Sequence, residues 1–404
     1  MLRRRRPPRA LRDADRIGRH AGGPLILYEG SVHGGGHGGA RFHFTGLSAA
    51  LFARVGHSLH LIVPRFRGVP SLRSSLPPDV QIVELASWRR GAPGFLLYEL
   101  KKALLYLWLA ARSPHHRVVL LTRISYHGVS TLVARALGWR VILEVNGVPA
   151  HEARDRRLGW ATRCFISLAS RAQARWAHEL ITVTPGIADE IGSPARVRVH
   201  VVPNGVDLSR FPAIPAERAK SRNAILFVGT LAPWQDVALL LRAVQVLGGG
   251  NDGDPWELTI VGKGEQEDEL HVLADELGIA DRVRFVGWQP HELVSTFIAD
   301  AWICAVPLRR KHRSRSCGSP LKLFEYLASN RPVVAAEVDG VRELTLPLIQ
   351  RYDEGNLSSL VAALHRASTS SPLDPATLEE MRVDMSWNNR ADRVLSIALA
   401  SEPR

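Results

Sequence analysis

Cysteine is scarce in this chain, and long uninterrupted apolar runs are missing. The three cysteines, Cys164, Cys304 and Cys317, lie far apart, and no CxxC or Cys/His ligand spacing occurs. We therefore expect neither a disulfide framework nor a structural zinc site. No stretch reaches the roughly 18 uncharged apolar residues that a membrane-spanning helix needs. These absences predict a cytoplasmic protein, with a peripheral position on the inner face of the membrane as the alternative.

Lysine is also rare, and most of the positive charge comes from arginine. Six lysines stand against 46 arginines, and the net charge is +13. Residues 1–20 hold eight arginines against Asp13 and Asp15 and lack the apolar core of a secretion signal. We expect residues 1–22 to be a disordered basic leader; the alternative is contact with an anionic membrane surface. We do not expect nucleic acid as a partner.

The length and the hydrophobic pattern predict two α/β domains. A chain of 404 residues, 46% hydrophobic and 23% charged, is too long for one ordinary core. Short apolar runs alternate with helical stretches, as in doubly wound parallel sheets. A polar stretch with prolines at 210–222 predicts a linker, which leaves domains at 23–209 and 223–384 and a C-terminal helix at 385–404. The clearest strand candidates lie at 25–28, 59–63, 118–121, 141–145, 180–183, 224–229, 257–261, 282–286, 302–306 and 332–336.

The most informative pattern in the chain begins at Gly318. Ser319 is the expected N-cap of a helix, because Pro320 has the fixed φ and missing N–H that suit a first helical turn. The N–H groups of that turn and the helix dipole form an anion site suited to phosphate. Lys322 adds a cation, and Glu325 lies on the same helical face. This arrangement matches a diphosphate joined to a ribose diol, which is one end of a nucleotide-sugar.

The run Ser-Pro-Leu-Lys-Leu-Phe-Glu-Tyr-Leu-Ala at 319–328 resembles the donor-site signature of family-4 retaining glycosyltransferases. The resemblance implies the GT-B fold, with two Rossmann-like domains facing across a cleft and a C-terminal helix that crosses back to the first domain. It also implies a nucleotide-diphosphate sugar as co-substrate, with no metal and no other cofactor. Further blocks resemble the family in the expected order, at 38–43, 56–62, 202–207, 226–229, 258–264 and 283–287.

The resemblance implies that Glu325 binds both ribose hydroxyls. The position of Lys322 in the first helical turn suits contact with the phosphates, where a compact ammonium acts as a point charge. The alternatives are an ordinary exposed glutamate and a lysine placed by chance. The catalytic candidates are Gly39, Asn146 and Lys322. The other donor-binding candidates are Gly38, Gly39, Thr230, Gln235, Gly262, Lys263, Cys317, Gly318, Ser319, Pro320 and Leu321.

Two departures from the family pattern concern the donor site. Many members carry a second glutamate, which contacts the donor sugar, where this chain has Cys317. Many also clamp the diphosphate with an arginine and a lysine, where this chain has Thr230 and Gln235. Our hypothesis is that Lys322 and the basic loop at 309–315 supply the missing positive charge. The alternative for the loop is a solvated surface turn.

Candidate residues of the first domain follow its predicted strands. The glycine loop at 34–39 leaves backbone N–H groups free for phosphate, but it lacks the spacing of a dinucleotide fingerprint, so NAD binding is weakly supported. Asn146 takes the place of a family histidine that contacts the donor sugar; a turn-forming asparagine is the alternative. The histidines of the loop region share no carboxylate spacing, so we predict no metal site. The acceptor-binding candidates are His43, Arg123, Glu144 and Glu152.

The apolar stretch at 95–111 has two interpretations. Glu99, Lys101 and Lys102 interrupt it, so it could lie in a membrane interface near a lipid-linked acceptor. A helix packed on the first sheet explains it as well, and core packing is favoured.

The sequence therefore predicts a retaining, metal-independent glycosyltransferase. Its partners would be a nucleotide-sugar donor and a glycan or lipid-linked acceptor, in polysaccharide or cell-envelope glycoconjugate biosynthesis. One alternative is a GT-B sugar-nucleotide epimerase or phosphorylase. Another is a catalytically impaired protein that only binds nucleotide-sugars, which Cys317, Thr230 and Gln235 would favour.

Overall fold

The structure is a computed structural model, and two compact units account for the residues it describes. These residues are 24–30, 39–66, 72–87, 92–112, 117–149, 159–192, 196–248, 255–309 and 319–400. The first unit holds the described residues up to Pro203 and from Trp387 onward, and the second is Asn204–Ser386. The boundary differs from the predicted linker at 210–222, because Phe211 and Ile214 are buried in the core of the second unit.

The first unit is built on a seven-stranded parallel sheet. Its order is β3-β2-β1-β4-β5-β6-β7, and each neighbouring pair is parallel. The central strands are aliphatic and buried along nearly their whole length, because both faces of the sheet are covered. The strands are β1 (Leu25–Glu29), β2 (Leu59–Phe66), β3 (Gln81–Ser87), β4 (Val118–Arg123), β5 (Arg140–Val145), β6 (Glu179–Thr182) and β7 (Arg198–Val201).

Helices connect these strands. The buried core beneath them includes Leu27, Leu120, Tyr106 and Leu143. Helix α5 begins in the expected way, since Thr184 is its N-cap and the Thr184 side chain accepts from the Ile187 N–H. The helices are α1 (Gly39–Val55), α2 (Ala92–Arg112), α3 (Val129–Ala136), α4 (Trp160–Trp176) and α5 (Pro185–Ile191).

The second unit repeats the plan with a six-stranded parallel sheet. Its order is β10-β9-β8-β11-β12-β13, again with parallel neighbours. The strands are β8 (Ala224–Val228), β9 (Glu257–Val261), β10 (Val283–Gly287), β11 (Ile303–Val306), β12 (Val333–Ala336) and β13 (Ile349–Tyr352). The helices are α6 (Val237–Leu247), α7 (Glu267–Glu276), α8 (Val294–Asp300), α9 (Leu321–Ala328), α10 (Leu357–Ser368) and α11 (Pro375–Asp384).

The last helix, α12 (Trp387–Leu399), belongs to the first unit, where it packs against α1. The Trp387 ring meets the His43 ring edge-on at 5.3 Å between centroids. Arg54 binds Asp392 through two nitrogens, at 2.7 and 2.9 Å. The first and last helices of this unit are therefore joined by apolar packing and by an ion pair.

The two sheets confirm the predicted α/β fold class of two Rossmann-like parallel sheets. Three strands were missing from the prediction, β3, β7 and β13, and each lies at an edge of its sheet. Edge strands have fewer neighbours to bury them, so β7 and the middle of β13 remain partly exposed and lack a continuous aliphatic run. No helix among the described residues is long and apolar enough to cross a membrane.

Candidate functional site

The predicted donor residues gather at the switch point of the second sheet. The strand order reverses between β8 and β11, and ligands of doubly wound sheets bind outside the carboxyl ends of the strands at such a point. Gly229 and Thr230 directly follow β8, and helix α9 follows β11. Helix α9 and the loops after β8 and β9 therefore form the candidate site.

Lys322 is held between a side-chain amide and an aromatic ring. Its Nζ donates a 2.7 Å hydrogen bond to Gln235 Oε1 and lies 4.1 Å from the centroid of the Phe227 ring. Burial lowers the pKa of Lys322 to about 7, although the nearby Glu325 carboxylate raises it in part. The ammonium is thus poorly compensated where it stands, and an anion placed beside it would stabilise its charged form.

Glu325 is buried and paired with a histidine. His291 Nε2 lies 2.9 Å from Glu325 Oε1, and the His291 ring also contacts the ring of Phe211. His291 begins a short 3-10 turn, His291–Leu293, before α8. Sequence reasoning missed this residue, because a single histidine 34 positions upstream carries no spacing signal. The pairing fixes one carboxylate oxygen of Glu325.

The N-cap prediction was wrong. Helix α9 has Pro320 as its N-cap, and Pro320 makes no side-chain capping bond. Ser319 is used elsewhere: its Oγ accepts from the Asn204 backbone N–H at 3.2 Å, and its carbonyl accepts from Asn204 Nδ2 at 2.6 Å. Ser319 therefore ties the start of α9 to the beginning of the second unit rather than capping the helix.

The loops after β8 and β9 touch through glycines. Gly262 has φ +145°, and a Cβ there would lie 1.8 Å from the carbonyl oxygen of Gly229. A Cβ on Gly229 would lie 3.0 Å from Lys322 Nζ. Thr230 and Lys263 are exposed beside this contact. The glycines let the two strand ends meet and keep space open next to Lys322.

A second group of predicted residues meets in the first unit, around Glu144. This carboxylate lies near the end of β5 and is buried. His43 Nε2 lies 2.8 Å from Glu144 Oε1, and an Arg390 guanidinium nitrogen lies 2.7 Å from the same oxygen. The Tyr28 hydroxyl donates to Glu144 Oε2 at 3.2 Å, and Arg123 Nε lies 3.9 Å from that oxygen. Four elements of the unit thus converge on one carboxylate.

The charges of this cluster explain its pKa shifts. Burial alone would raise the pKa of Glu144, but His43 and the two arginine guanidinium groups hold it well below its ordinary value. Burial lowers the pKa of His43, against the opposing effect of Glu144. Burial and the Glu144 charge raise the pKa of Tyr28 well above its usual range. Glu144 is therefore ionised and held by positively charged and hydrogen-bonding partners.

Three of the acceptor candidates, His43, Arg123 and Glu144, belong to this cluster. Glu144 and His43 are buried and engaged with each other, so they position their surroundings rather than face solvent. Asn146 is half-buried, with its Nδ2 3.2 Å from His43 Nε2. Its Oδ1 is buried and has no partner among the described residues. Gly39 opens α1 and is exposed. Tyr28 and Arg390 are members that the sequence did not indicate.

Several candidates lie outside the described residues: Gly38, Glu152, Cys317, Gly318 and the basic loop from Arg310 to Arg315. Of that loop only Arg309 is described, and its Nε lies 3.4 Å from Asp236 Oδ2. Within the described ranges, no group of three or more His, Cys, Asp or Glu side chains is arranged to hold a metal ion.

Comparison with known proteins gives two family matches. Residues 37–210 match the family model described as Glycosyltransferase Family 4, and residues 222–366 match the model described as Glycosyl transferases group 1. The two matches follow the order of the two units. Together with the two parallel-sheet units, these matches support a GT-B enzyme similar to the family-4 glycosyltransferases.

Individual relatives cover part of the chain. Amylovoran biosynthesis glycosyltransferase AmsK of Erwinia amylovora is 27% identical over 195 residues, 48% of this chain and 45% of the relative. D-inositol 3-phosphate glycosyltransferase of Mycolicibacterium vanbaalenii is 33% identical over 225 residues, 49% of this chain and 47% of the relative. The chain thus spans about half the length of these curated relatives.

Among solved structures, sucrose-phosphate synthase from Thermosynechococcus elongatus has the same fold. It superposes with a TM-score of 0.69 at 18% identity, covering 93% of this chain and 98% of its own.

Proposed function

We propose that this protein is a retaining glycosyltransferase that moves a sugar from a nucleotide-diphosphate sugar to a glycan or lipid-linked acceptor, without a metal ion. The observation that carries the proposal is the pairing of Lys322 with Gln235 and of Glu325 with His291 at one switch point. A cation and a carboxylate one helical turn apart suit the diphosphate and the ribose of a nucleotide. Biosynthesis of polysaccharide or envelope glycoconjugate is the proposed setting, since one partial relative is named for amylovoran biosynthesis.

The proposed chemistry follows from the charges at this site. The bond between the anomeric carbon and the diphosphate oxygen breaks, and a bond to the acceptor hydroxyl oxygen forms on the same face of the sugar. The acceptor proton passes to a phosphate oxygen of the leaving group. Negative charge grows on that group, and Lys322 with the first turn of α9 stabilises it. This is electrostatic catalysis that needs no separate protein base.

Gln235 has a defined part in this proposal. It stands where many family members carry a second cation, and here its Oε1 accepts from Lys322. An amide cannot neutralise phosphate, but it fixes the direction of the ammonium. Lys322 then supplies positive charge that two cationic residues share in many family members.

His291 orients Glu325, the residue proposed to bind the ribose, as Gln235 orients Lys322. Its hydrogen bond holds Glu325 Oε1, so the carboxylate meets a ribose diol with its orientation already set. Less conformational freedom is then lost when the nucleotide binds.

A panel of UDP-, GDP-, ADP- and TDP-sugars tests the proposal with the full-length protein. We expect donors with one of these bases to raise the melting temperature and to be slowly hydrolysed or transferred. Glu325→Ala should abolish this binding, whereas Glu292→Ala should not, because Glu292 is an exposed neighbour of His291. If the alanine variant unfolds, Glu325→Gln is tested in its place, because glutamine keeps the shape of the side chain. Binding by both Glu325 variants at the wild-type level would overturn the site.

A second candidate is a protein that binds nucleotide-sugars without turnover. Thr230 and Gln235 favour it, because neither brings a charge to the diphosphate. Saturable binding without hydrolysis or transfer, across the same panel, would select this candidate over the enzyme.

A further inference from the structure

One side of helix α2 exposes a row of leucines. Their side chains are between 40% and 65% exposed, and their spacing places them along one helical stripe. We call this row the leucine stripe; its members are Leu96, Leu97, Leu100, Leu104 and Leu107. The opposite side of α2 packs into the core through Tyr98, Leu105, Tyr106 and Leu109. The predicted core packing of this helix therefore accounts for one side of it and leaves the other uncovered.

Neighbouring helices of the same unit also carry exposed apolar residues. Helix α3 packs against α2, and α4 packs against α3. Leu132 on α3 is exposed, as are Trp160, Phe165 and Leu168 on α4, with Trp160 reaching 74%. In the second unit, exposed apolar residues such as Val246 on α6 and Val272 on α7 come from separate helices.

The charge on these three helices has one sign at the surface. Their sole acidic residue is Glu99, which is buried with Lys102 Nζ 2.7 Å away. Arg112 lies over the Trp108 ring at 4.7 Å, at the end of α2. The remaining basic residues of the three helices are Lys101, Arg135, Arg163, Arg171 and Arg175. The three helices thus carry exposed apolar side chains and cations but no exposed carboxylate of their own, which suits an anionic layer that covers an apolar one.

We propose that the leucine stripe, with the exposed apolar residues of α4, docks this protein on an anionic lipid bilayer. Leucine, tryptophan and phenylalanine side chains enter the headgroup boundary, and the arginines stay at the level of the lipid phosphates. The protein lies on the bilayer and does not cross it. The site concerns α2, α3 and α4 only, so the inference stands apart from the donor chemistry of the second unit.

Vesicle binding by the full-length protein tests this surface. Vesicles of equal parts phosphatidylglycerol and phosphatidylcholine are compared with pure phosphatidylcholine, by co-sedimentation. We expect binding to the anionic vesicles that weakens between about 0.1 and about 0.5 M salt. Leu104→Asp combined with Leu107→Asp should raise the apparent dissociation constant by about tenfold or more.

The matched control carries Val246→Asp and Val272→Asp, which are similarly exposed on helices of the second unit. It should bind vesicles like the wild type. Residues 1–22 are intact in both variants, so any contribution of the basic leader cancels. Circular dichroism and the nucleotide-sugar thermal shift confirm that each variant is folded, and failure of the shift in the wild type would bear on the proposed function alone.

Three results would overturn the inference. The first is equal vesicle binding by the wild type and the leucine variant, which would assign binding to another surface. The second is no preference of the wild type for anionic vesicles. The third is a wild-type dimer that the leucine substitutions dissociate, with no vesicle binding, which would make the stripe a protein interface.

Discussion

Lys322 Nζ and Gln235 Oε1 are joined by a 2.7 Å hydrogen bond, which links helix α9 to the segment after β8. The bond joins two residues that lie 87 positions apart in the sequence. Both residues were predicted from the sequence to bind the donor, Lys322 on the helix and Gln235 in the segment after β8. The amide sets the direction of the Lys322 ammonium, and we expect donor binding to depend on this charge.

Replacing Lys322 with methionine should weaken nucleotide-sugar binding while leaving the fold intact. The change removes the ammonium but keeps most of the side-chain volume. We expect the dissociation constant to rise by about 10- to 100-fold, since a hydrogen bond to a charged group contributes about 1.5–3 kcal/mol. Titration calorimetry measures this. The control is Lys220→Met, an exposed lysine paired with Asp300, which should bind normally; equal loss in both variants would contradict the assignment.

The affinity for nucleotide-sugar should depend on pH through Lys322. Its pKa is lowered to about 7 by burial in the unliganded protein, and a bound diphosphate should raise it. The ammonium is therefore charged below pH 7 with or without ligand, but above pH 7 binding must take up a proton. Affinity should be constant below pH 7 and fall by up to about tenfold per pH unit above it.

Calorimetry at pH 8 in buffers of different ionisation enthalpy reports that proton uptake directly. The diphosphate of a nucleotide-sugar does not titrate in this range, so the proton is taken up by the protein. Lys322→Met should show no uptake at the same pH. Uptake that persists in the variant would assign the titration to another group.

Gly262→Ala should destabilise the second unit strongly. The new Cβ would meet the Gly229 carbonyl oxygen at 1.8 Å, and φ at +145° is a conformation that side chains rarely adopt. We expect a loss of about 3 kcal/mol in the free energy of unfolding, measured with urea. Gly278→Ala, at φ +63° with no atom within 4 Å of its Cβ, should cost only about 1 kcal/mol. Similar losses in both variants would argue against the close approach.

Arg390→Met should destabilise the first unit. It removes a buried partner 2.7 Å from Glu144 and leaves that carboxylate with His43, Tyr28 and Arg123. Breaking a buried ion pair costs about 3 kcal/mol or more. The control is Arg393→Met on the same helix, an exposed residue whose loss should change the stability by about 0.5 kcal/mol or less. Urea unfolding measures the stability of both variants. Equal stabilities would contradict the assigned role of Arg390.

Acid should unfold the first unit in two ranges. The pKa of His43 is lowered by burial, so the unfolded chain binds a proton more readily and stability falls as pH drops below 6.5. The pKa of Glu144 is held low despite its burial, so its contribution is present above 4.5 and is lost as pH falls further. The melting temperatures of wild type and Glu144→Gln should therefore converge below pH 4.5. A constant difference between pH 7 and pH 3 would contradict this.

The sheets could be predicted from sequence in their interiors, but three of their four edge strands, β3, β7 and β13, were missed. Strands such as β1 and β5 are continuous aliphatic runs, because helices cover both their faces. Strand β7 has no buried residue, so its composition resembles that of a loop. The predicted linker at 210–222 contains Phe211, whose burial depends on packing within the second unit that local polarity does not reveal.

The candidate site was predictable where its residues are neighbours in sequence. Lys322 and Glu325 share a helix, and helical spacing alone places them one turn apart. His291 and Arg390 were missed because they reach their carboxylates from elements that only the tertiary fold brings near. Ser319 was placed wrongly because its bond to Asn204 spans 115 positions and outcompetes the local capping rule.

The membership of α12 in the first unit has a consequence for synthesis on the ribosome. Residues 204–386 emerge and can form their own sheet while Glu144 still lacks Arg390. The first unit is completed only after α12 has been synthesised. Any premature stop before position 390 would thus remove the guanidinium 2.7 Å from the buried Glu144, in a unit whose other residues had been translated long before.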